Sequence, residues 1–350
     1  MLHFLLTSVW AVMAASAEPG ALSRQLVPSS YEAGHFYAVG TTIGGKTLRV
    51  LVDSGGAGGS GWYVIDPAAV SRLGLKTSEC ARGSEKFDVV TTIPFAAGKG
   101  WPRSADTPCG STALIVPGIG KVSGADGING AGYMPGHVWT FDYPARKLWL
   151  EPADWKPRAG MRRATLGFQR NNAGGWATGF ARLRVRVAGR PVDLLLDTGA
   201  TGKPTPAGEA ASHAPIVKGL GVTSYITTSA LEQWHRQHPD WTVVKAGDDL
   251  FGEHMATRMI EVPMLEIAGW SVGPVWFTER ADVNFGDGGL SRYTDSPVVG
   301  AAGANIFRHF VMTLDYPRDA AWFACADECR MATGHVPPAA SVAAPSRRSH

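Results

Sequence analysis

The sequence predicts a mainly β protein built of two duplicated lobes, and three observations predict it. Glycine (43) and proline (23) make up about a fifth of the 350 residues, which leaves little uninterrupted chain for long helices. Apolar residues come in short alternating runs or in compact blocks, the patterns of half-buried and fully buried strands. Above all, the chain repeats itself. Residues 36–58 match residues 180–202 without a gap at an offset of 144, with Phe36 on Phe180, Gly45 on Gly189, Lys46 on Arg190, Asp53 on Asp197 and Gly55 on Gly199. Residues 127–150 match residues 300–323 at an offset of 173. There Gly127 and Gly130 fall on Gly300 and Gly303, Asp142-Tyr143-Pro144 on Asp315-Tyr316-Pro317, and Trp149 on Trp322. Two separated segments recurring in the same order mean a duplicated domain, with 29 extra residues inside the second copy. Two copies are too few for a solenoid.

Along the chain, residues 1–17 read as an export signal. Phe4-Leu5-Leu6 and Val9 to Met13 form a short apolar core, and Ala15-Ser16-Ala17 supplies the small-residue cleavage site, with a mature start near Glu18. The run is too short for a membrane span, and no later segment holds about eighteen uninterrupted apolar residues, so no membrane anchor is expected. The first lobe is placed at residues 18–155. Within it, Phe36 to Ile43 is a strand, Gly44-Gly45-Lys46 a turn, and Leu48 to Val52 a buried strand. Pro152 to Gly160 has the proline-rich, polar look of a linker. The second lobe, residues 156–330, repeats the pattern. Arg182 to Val187 alternates strictly, with arginines outward, Ala188-Gly189-Arg190 turns the chain, and Val192 to Leu196 is a strand covered on both faces. Residues 331–350 lack periodicity and read as a disordered tail.

Composition narrows the function. With 45% apolar and 18% charged residues, wholesale disorder is excluded. A net charge of +3, scattered along the chain, gives no reason to expect a nucleic-acid partner. Four cysteines suit an oxidising compartment. Of three possible connectivities, pairing of near neighbours is expected, Cys80 with Cys109 and Cys325 with Cys329. A four-cysteine zinc site is the weaker reading, because no Cys-x-x-Cys knuckle occurs.

Each buried strand ends in Asp-(Ser/Thr)-Gly. A carboxylate at the end of an apolar strand is costly to bury alone. If the copies face each other across a pseudo-twofold axis, Asp53 and Asp197 meet there. Two carboxyls in contact cannot both ionise, so they share a proton and titrate as a pair. The ionised partner can then take a proton from a water held between them while the protonated one hydrogen-bonds a substrate carbonyl. Gly55 and Gly199 let the chain turn sharply, and Ser54 and Thr198 can reach the opposite loop to hold the geometry. This is water attack on an amide that calls for no metal or cofactor.

With these residues in view, the chain resembles the aspartic proteases of the pepsin/retropepsin type, in particular the bacterial bilobal ones. Asp53-Ser54-Gly55 and Asp197-Thr198-Gly199-Ala200-Thr201 match the two active-site loops of that family. Trp62-Tyr63-Val64 resembles its tryptophan-containing strand. Gly127 to Gly130 and Gly300 to Gly303 resemble its later apolar-apolar-Gly segments, and the two Asp-Tyr-Pro segments the strands that follow. The resemblance spans residues 36 to 323 at its landmarks and implies two pseudo-twofold-related, β-barrel-like lobes of the acid-protease (pepsin-like) fold, an aspartic endopeptidase, and a peptide or protein substrate in the inter-lobe cleft of a monomer. Asp53 and Asp197 are the catalytic pair, with Ser54, Gly55, Thr198 and Gly199 supporting them. The sequence departs from the family in three places. The first loop runs on as Gly56-Ala57-Gly58-Gly59-Ser60-Gly61, the later apolar segments carry Asn129 at a normally apolar position and the small Ala301-Ala302, and the stretch from Lys76 to Cys109, where the substrate-covering flap belongs, has no tyrosine. The alternative is therefore a weak or inactive peptide-binding protein on the same fold.

Other readings fall away. Asp142 and Asp315 precede Tyr-Pro and read as turn residues. Val52-Asp53-Ser54-Gly55-Gly56 superficially resembles a trypsin-like nucleophile segment, but only His3 and His35 precede Ser54. Gly56 to Gly61 fits G-x-G-x-x-G, yet Trp62-Tyr63-Val64 follows where a dinucleotide site needs a helix. His235 and His238 read as a solvated helix end before Pro239 rather than metal ligands.

Overall fold

The computed structural model describes residues 24–57, 61–103 and 107–332. The export signal expected over residues 1–17 and almost all of the tail expected over 331–350 lie outside the described residues. Strand pairing continues to the start of that tail, since Arg330–Met331 pairs with Trp270–Val272.

The chain is mainly β, in two sheet bodies of matching connectivity. In the first, the hairpin His35–Thr41/Thr47–Asp53 turns at Gly45 (φ +75°). In the second, Arg182–Val187/Arg190–Leu196 turns at Gly189 (φ +75°). The arginines of Arg182–Val187 face outward while Leu183, Val185 and Val187 are buried, as period two requires. The strand carrying each Asp-(Ser/Thr)-Gly turn then pairs in parallel with the short strand of the later glycine segment. Asp53 pairs in register with Gly130, and Leu196 with Ala302. Those short strands run antiparallel to Tyr63–Ile65 and Ser224–Thr227, which pair in parallel with Ala113–Ile115 and Val275–Arg280. Each series ends in a hairpin, Thr77–Arg82/Glu85–Val90 in the first half and Val243–Asp248/Thr257–Val262 in the second.

The halves share a six-stranded base. Its order is Gln25–Val27, Lys147–Glu151, Val138–Asp142, Phe310–Asp315, Ala320–Cys325, Arg162–Gly167. At its centre Thr140 pairs with Thr313, and their hydroxyls are 2.8 Å apart. These two residues are separated by the same 173 positions as the second sequence repeat. Equivalent residues of two copies can touch each other only near the twofold axis that relates them. The base is packed by buried Trp139, Phe141, Phe310, Met312, Leu314 and Phe323, so the symmetry axis runs through a shared hydrophobic core.

Two disulfides join near neighbours. Cys80–Cys109 ties the Thr77–Arg82 strand to the Pro108–Gly110 turn, and Cys325–Cys329 closes a five-residue loop. Among the described residues no helix is long and apolar enough to cross a membrane.

Candidate active site

Each aspartate is delivered by an apolar strand whose neighbours are fully covered. Asp53 follows Val50 and Val52, and Asp197 follows Leu194, Leu195 and Leu196. The two strands reach the molecular axis from opposite halves and the carboxyl groups come within hydrogen-bonding range of each other. The glycines explain how so close an approach is possible. A Cβ on Gly55 would lie 2.3 Å from Cγ of Asp197, and one on Gly199 would lie 2.3 Å from Cγ of Asp53. The position after each hydroxyl residue must therefore lack a side chain, because the opposite carboxyl occupies that space.

The hydroxyl residues lock the two loops together. The Ser54 hydroxyl donates to the Leu196 carbonyl (2.8 Å) and accepts from the Thr198 N–H (3.0 Å). Reciprocally, the Thr198 hydroxyl donates to the Val52 carbonyl (2.9 Å) and accepts from the Ser54 N–H (3.1 Å). Every one of these groups is buried, so each bond satisfies a backbone group that would otherwise be costly to enclose. The Gly55 and Gly199 N–H groups donate to their own aspartates at 2.9 and 3.0 Å.

Desolvation dominates the electrostatics. It raises the Asp53 carboxyl above the ordinary carboxylate range, and the hydrogen bonds from Asp197 and from the Gly55, Gly56 and Gly199 N–H groups oppose it. Asp197 is raised much further, first by burial and then by the charge of Asp53 beside it. Both shifts favour a proton on the pair, more strongly at the better-buried Asp197 than at Asp53, which keeps some solvent access. An ionised and a protonated carboxyl side by side can accept a proton from one reactant while donating one to another.

The remaining candidates have structural surroundings. Asp142 accepts from the Ala145 N–H (3.1 Å), and fully buried Asp315 is paired with Arg318 (3.0 Å). His235 is exposed near the end of the Thr228–Gln237 helix, while His238 stacks on Trp241 at 4.3 Å. No group of three or more potential metal-ligating side chains is assembled among the described residues. After Gly61 the chain enters the strand Tyr63–Ile65, with no helix to complete a dinucleotide site. The Trp62 indole donates to Ser111 (2.7 Å) and packs near Phe87, Cys80 and Val89, beneath the hairpin that falls between Lys76 and Cys109.

Three features near the pair carried no signal in the sequence. Tyr225 brackets Thr201, accepting from its N–H (2.7 Å) and donating to its carbonyl (2.6 Å). A buried Arg280–Asp248 ion pair (3.3 Å) lies behind the same loop. His35, in the first half, reaches Thr201 in the second. None of them repeats at the offsets that expose the aspartates.

No family model matches this chain, and no curated protein matches it. Among solved structures it is similar to the aspartic proteinase of Irpex lacteus, at 11% identity and a TM-score of 0.42, over 87% of this chain and 98% of that one. It is also similar to the basic 7S globulin of soybean, at 12% identity and a TM-score of 0.40, over 86% of this chain and 94% of that one. Likenesses this distant say nothing of activity.

Proposed function

We propose that the protein is an exported, monomeric aspartic endopeptidase with a pepsin-like fold, hydrolysing peptide bonds with a water activated between Asp53 and Asp197. The observation that carries this reading is the meeting of two buried strand ends at the pseudo-twofold axis, each glycine making room for the opposite carboxyl. Export is supported by the apolar segment within residues 1–17 and by two disulfides, which persist in oxidising compartments.

In this reading the ionised carboxylate takes a proton from water as its oxygen bonds to the scissile carbonyl carbon. The protonated carboxyl donates to the carbonyl oxygen, giving a neutral gem-diol. The proton taken from water then passes to the amide nitrogen as the C–N bond breaks, and the carbonyl re-forms as the second hydroxyl returns its proton to the pair. The pair ends as it began, sharing one proton. The substrate lies extended between the halves, held by added main-chain hydrogen bonds. The hairpin Thr77–Arg82/Glu85–Val90 is the candidate cover over it.

The test is cleavage of a mixed peptide pool between about pH 3 and 6, which brackets the ordinary aspartate range. Asp53→Asn and Asp197→Asn should each lower kcat by roughly 10²–10⁴, the scale of general acid–base catalysis, with folding intact. Variants that retain the wild-type rate would overturn the reading. Peptide binding without turnover by the wild type would favour the alternative, a binding protein whose lengthened, glycine-rich first loop has spoiled the site.

A further inference from the structure

The first hairpin of the chain, Ser29–Glu32/His35–Thr41, does more than complete a sheet. Its turn presses on the other half of the molecule. The Val222 N–H donates to the Ala33 carbonyl (3.3 Å), and a Cβ on Gly34 (φ +93°) would lie 2.5 Å from a Val222 methyl. Val222 belongs to the two-residue strand Gly221–Val222, which pairs with Thr201–Gly202, the direct continuation of the Asp197-Thr198-Gly199 loop. The hairpin therefore grips the very segment that carries the second aspartate.

His35 is the side chain inside that grip. It is 2% exposed, and its Nε2 lies 3.1 Å from the Thr201 hydroxyl. That hydroxyl already donates to the Gly199 carbonyl (2.8 Å), so it can only accept from the ring. The neutral ring thus carries its proton on Nε2. Charged and titratable groups surround it on every side but are already engaged. Glu32, its cross-strand neighbour, is paired with Arg49 (2.8 Å), and Arg49 lies over the ring of Tyr37. Beyond Thr201 stand Tyr225 and Arg280, and Arg280 is paired with Asp248. Asp197 and Asp53 hold each other across the loop. Among the described residues no carboxylate pairs with His35, so a second ring proton would put an uncompensated charge in a buried site next to Arg49.

We propose that His35 is a positioning residue for the second catalytic loop, holding Thr201 from across the molecule while the hairpin keeps the neutral ring enclosed; the ring takes a second proton only when the Ala33-Gly34 turn opens to solvent, which withdraws it from Thr201, so that acid switches the peptidase off. The proposal rests on the peptidase reading above. Burial holds the His35 ring down to about 4, and the neighbouring Gly199 and Ala200 carbonyls only partly offset this. The sign follows. From about pH 6.5 downward the unfolded chain gains a proton that the folded ring refuses, so the contact weakens and is lost as the pH passes about 4.

The experiment compares wild type, His35→Ala and His35→Gln by kcat and KM against pH, and by amide exchange over residues 198–203 at matched pH. Gln can donate to Thr201 but does not titrate. Wild-type kcat should fall about tenfold or more from pH 5 to pH 3, and the Ala variant should be low throughout, while Gln restores kcat over Ala and flattens that fall, with KM little changed. Amides 198–203 should lose protection below about pH 4 in the wild type but not in the Gln variant. The same acid limb in wild type and Gln variant would overturn the proposal. If the Gln variant does not fold, the wild-type ring titration by NMR replaces it, and a midpoint more than about one unit from the activity limb overturns it. If the wild type cleaves nothing, the peptidase reading fails by itself, and the exchange comparison alone decides whether His35 positions the loop.

Discussion

Two buried carboxyls in contact bind a proton more tightly than either would alone, and this has a consequence for stability as well as chemistry. Both Asp53 and Asp197 are raised above their unfolded values. The folded state thus holds protons that the unfolded state has released, so the contribution of the pair is favourable at low pH and is lost as the pH rises. Asp197→Asn should therefore melt increasingly above the wild type as the pH goes from about 4 to 7, and a difference that stays flat would deny the coupling. Asn129 poses a second question. It is fully buried on the Gly127–Gly130 strand, in register with Val52, and neither atom of its amide finds a partner among the described residues. Its counterpart in the second copy, Ala302, is apolar. Asn129→Val should stabilise the fold by about 1–3 kcal/mol in denaturant titrations, whereas a loss of stability would mean that the amide is satisfied. At this scale the sequence made the aspartates legible because they recur on equivalent apolar strands. His35 and Tyr225 stayed hidden because a histidine or tyrosine on a strand has no pattern until the partner across the molecule is known.

The element that holds the site is the pair of Asp-(Ser/Thr)-Gly turns rather than either turn alone. Four hydrogen bonds of 2.8–3.1 Å cross between them, and all involve buried groups. Thr198→Val keeps the shape but leaves the Ser54 N–H and the Val52 carbonyl without their partner. It should cost about 1–3 kcal/mol and lower kcat, while Thr198→Ser should restore both, and a Val variant as stable as wild type would refute the locking role. The longer strands were readable from their periodicity, with small shifts at the ends. The expected strand over Phe36 to Ile43 runs from His35 to Thr41, because the backbone N–H of Thr42 already pairs with Lys46 to close the turn. The three-residue strand Tyr63–Ile65 was legible only through the resemblance of Trp62-Tyr63-Val64 to a tryptophan-containing strand, and Gly300–Ala302 not as a strand at all, since three residues carry no period and Gly-Ala-Ala has low strand preference. Their place is fixed by the parallel pairing of the aspartate strands against the later glycine segments.

For the molecule as a whole, duplication explains both the architecture and the position of the site. Thr140 meets Thr313, and Ser54 meets Thr198, at separations of 173 and 144 residues, the offsets of the two sequence repeats. The same axis thus passes through the six-stranded base and the two Asp-(Ser/Thr)-Gly turns. Neither half should be independent, because the Val138–Asp142 strand would lose its partner Phe310–Asp315 and expose Trp139 and Phe141. Residues 18–155 produced alone should show no cooperative thermal transition, and co-production with residues 156–330 should restore one. A half that melts cooperatively by itself would show that the shared base is not required. The central claim, that Asp53 and Asp197 share one proton at this axis, is tested most directly by carboxyl-carbon NMR titration of the wild type beside Asp53→Asn and Asp197→Asn. The account predicts one carboxyl still protonated well above the ordinary aspartate value of about 3.9, with the signal of the other responding to the same step. Two carboxyls titrating independently near that value would contradict it.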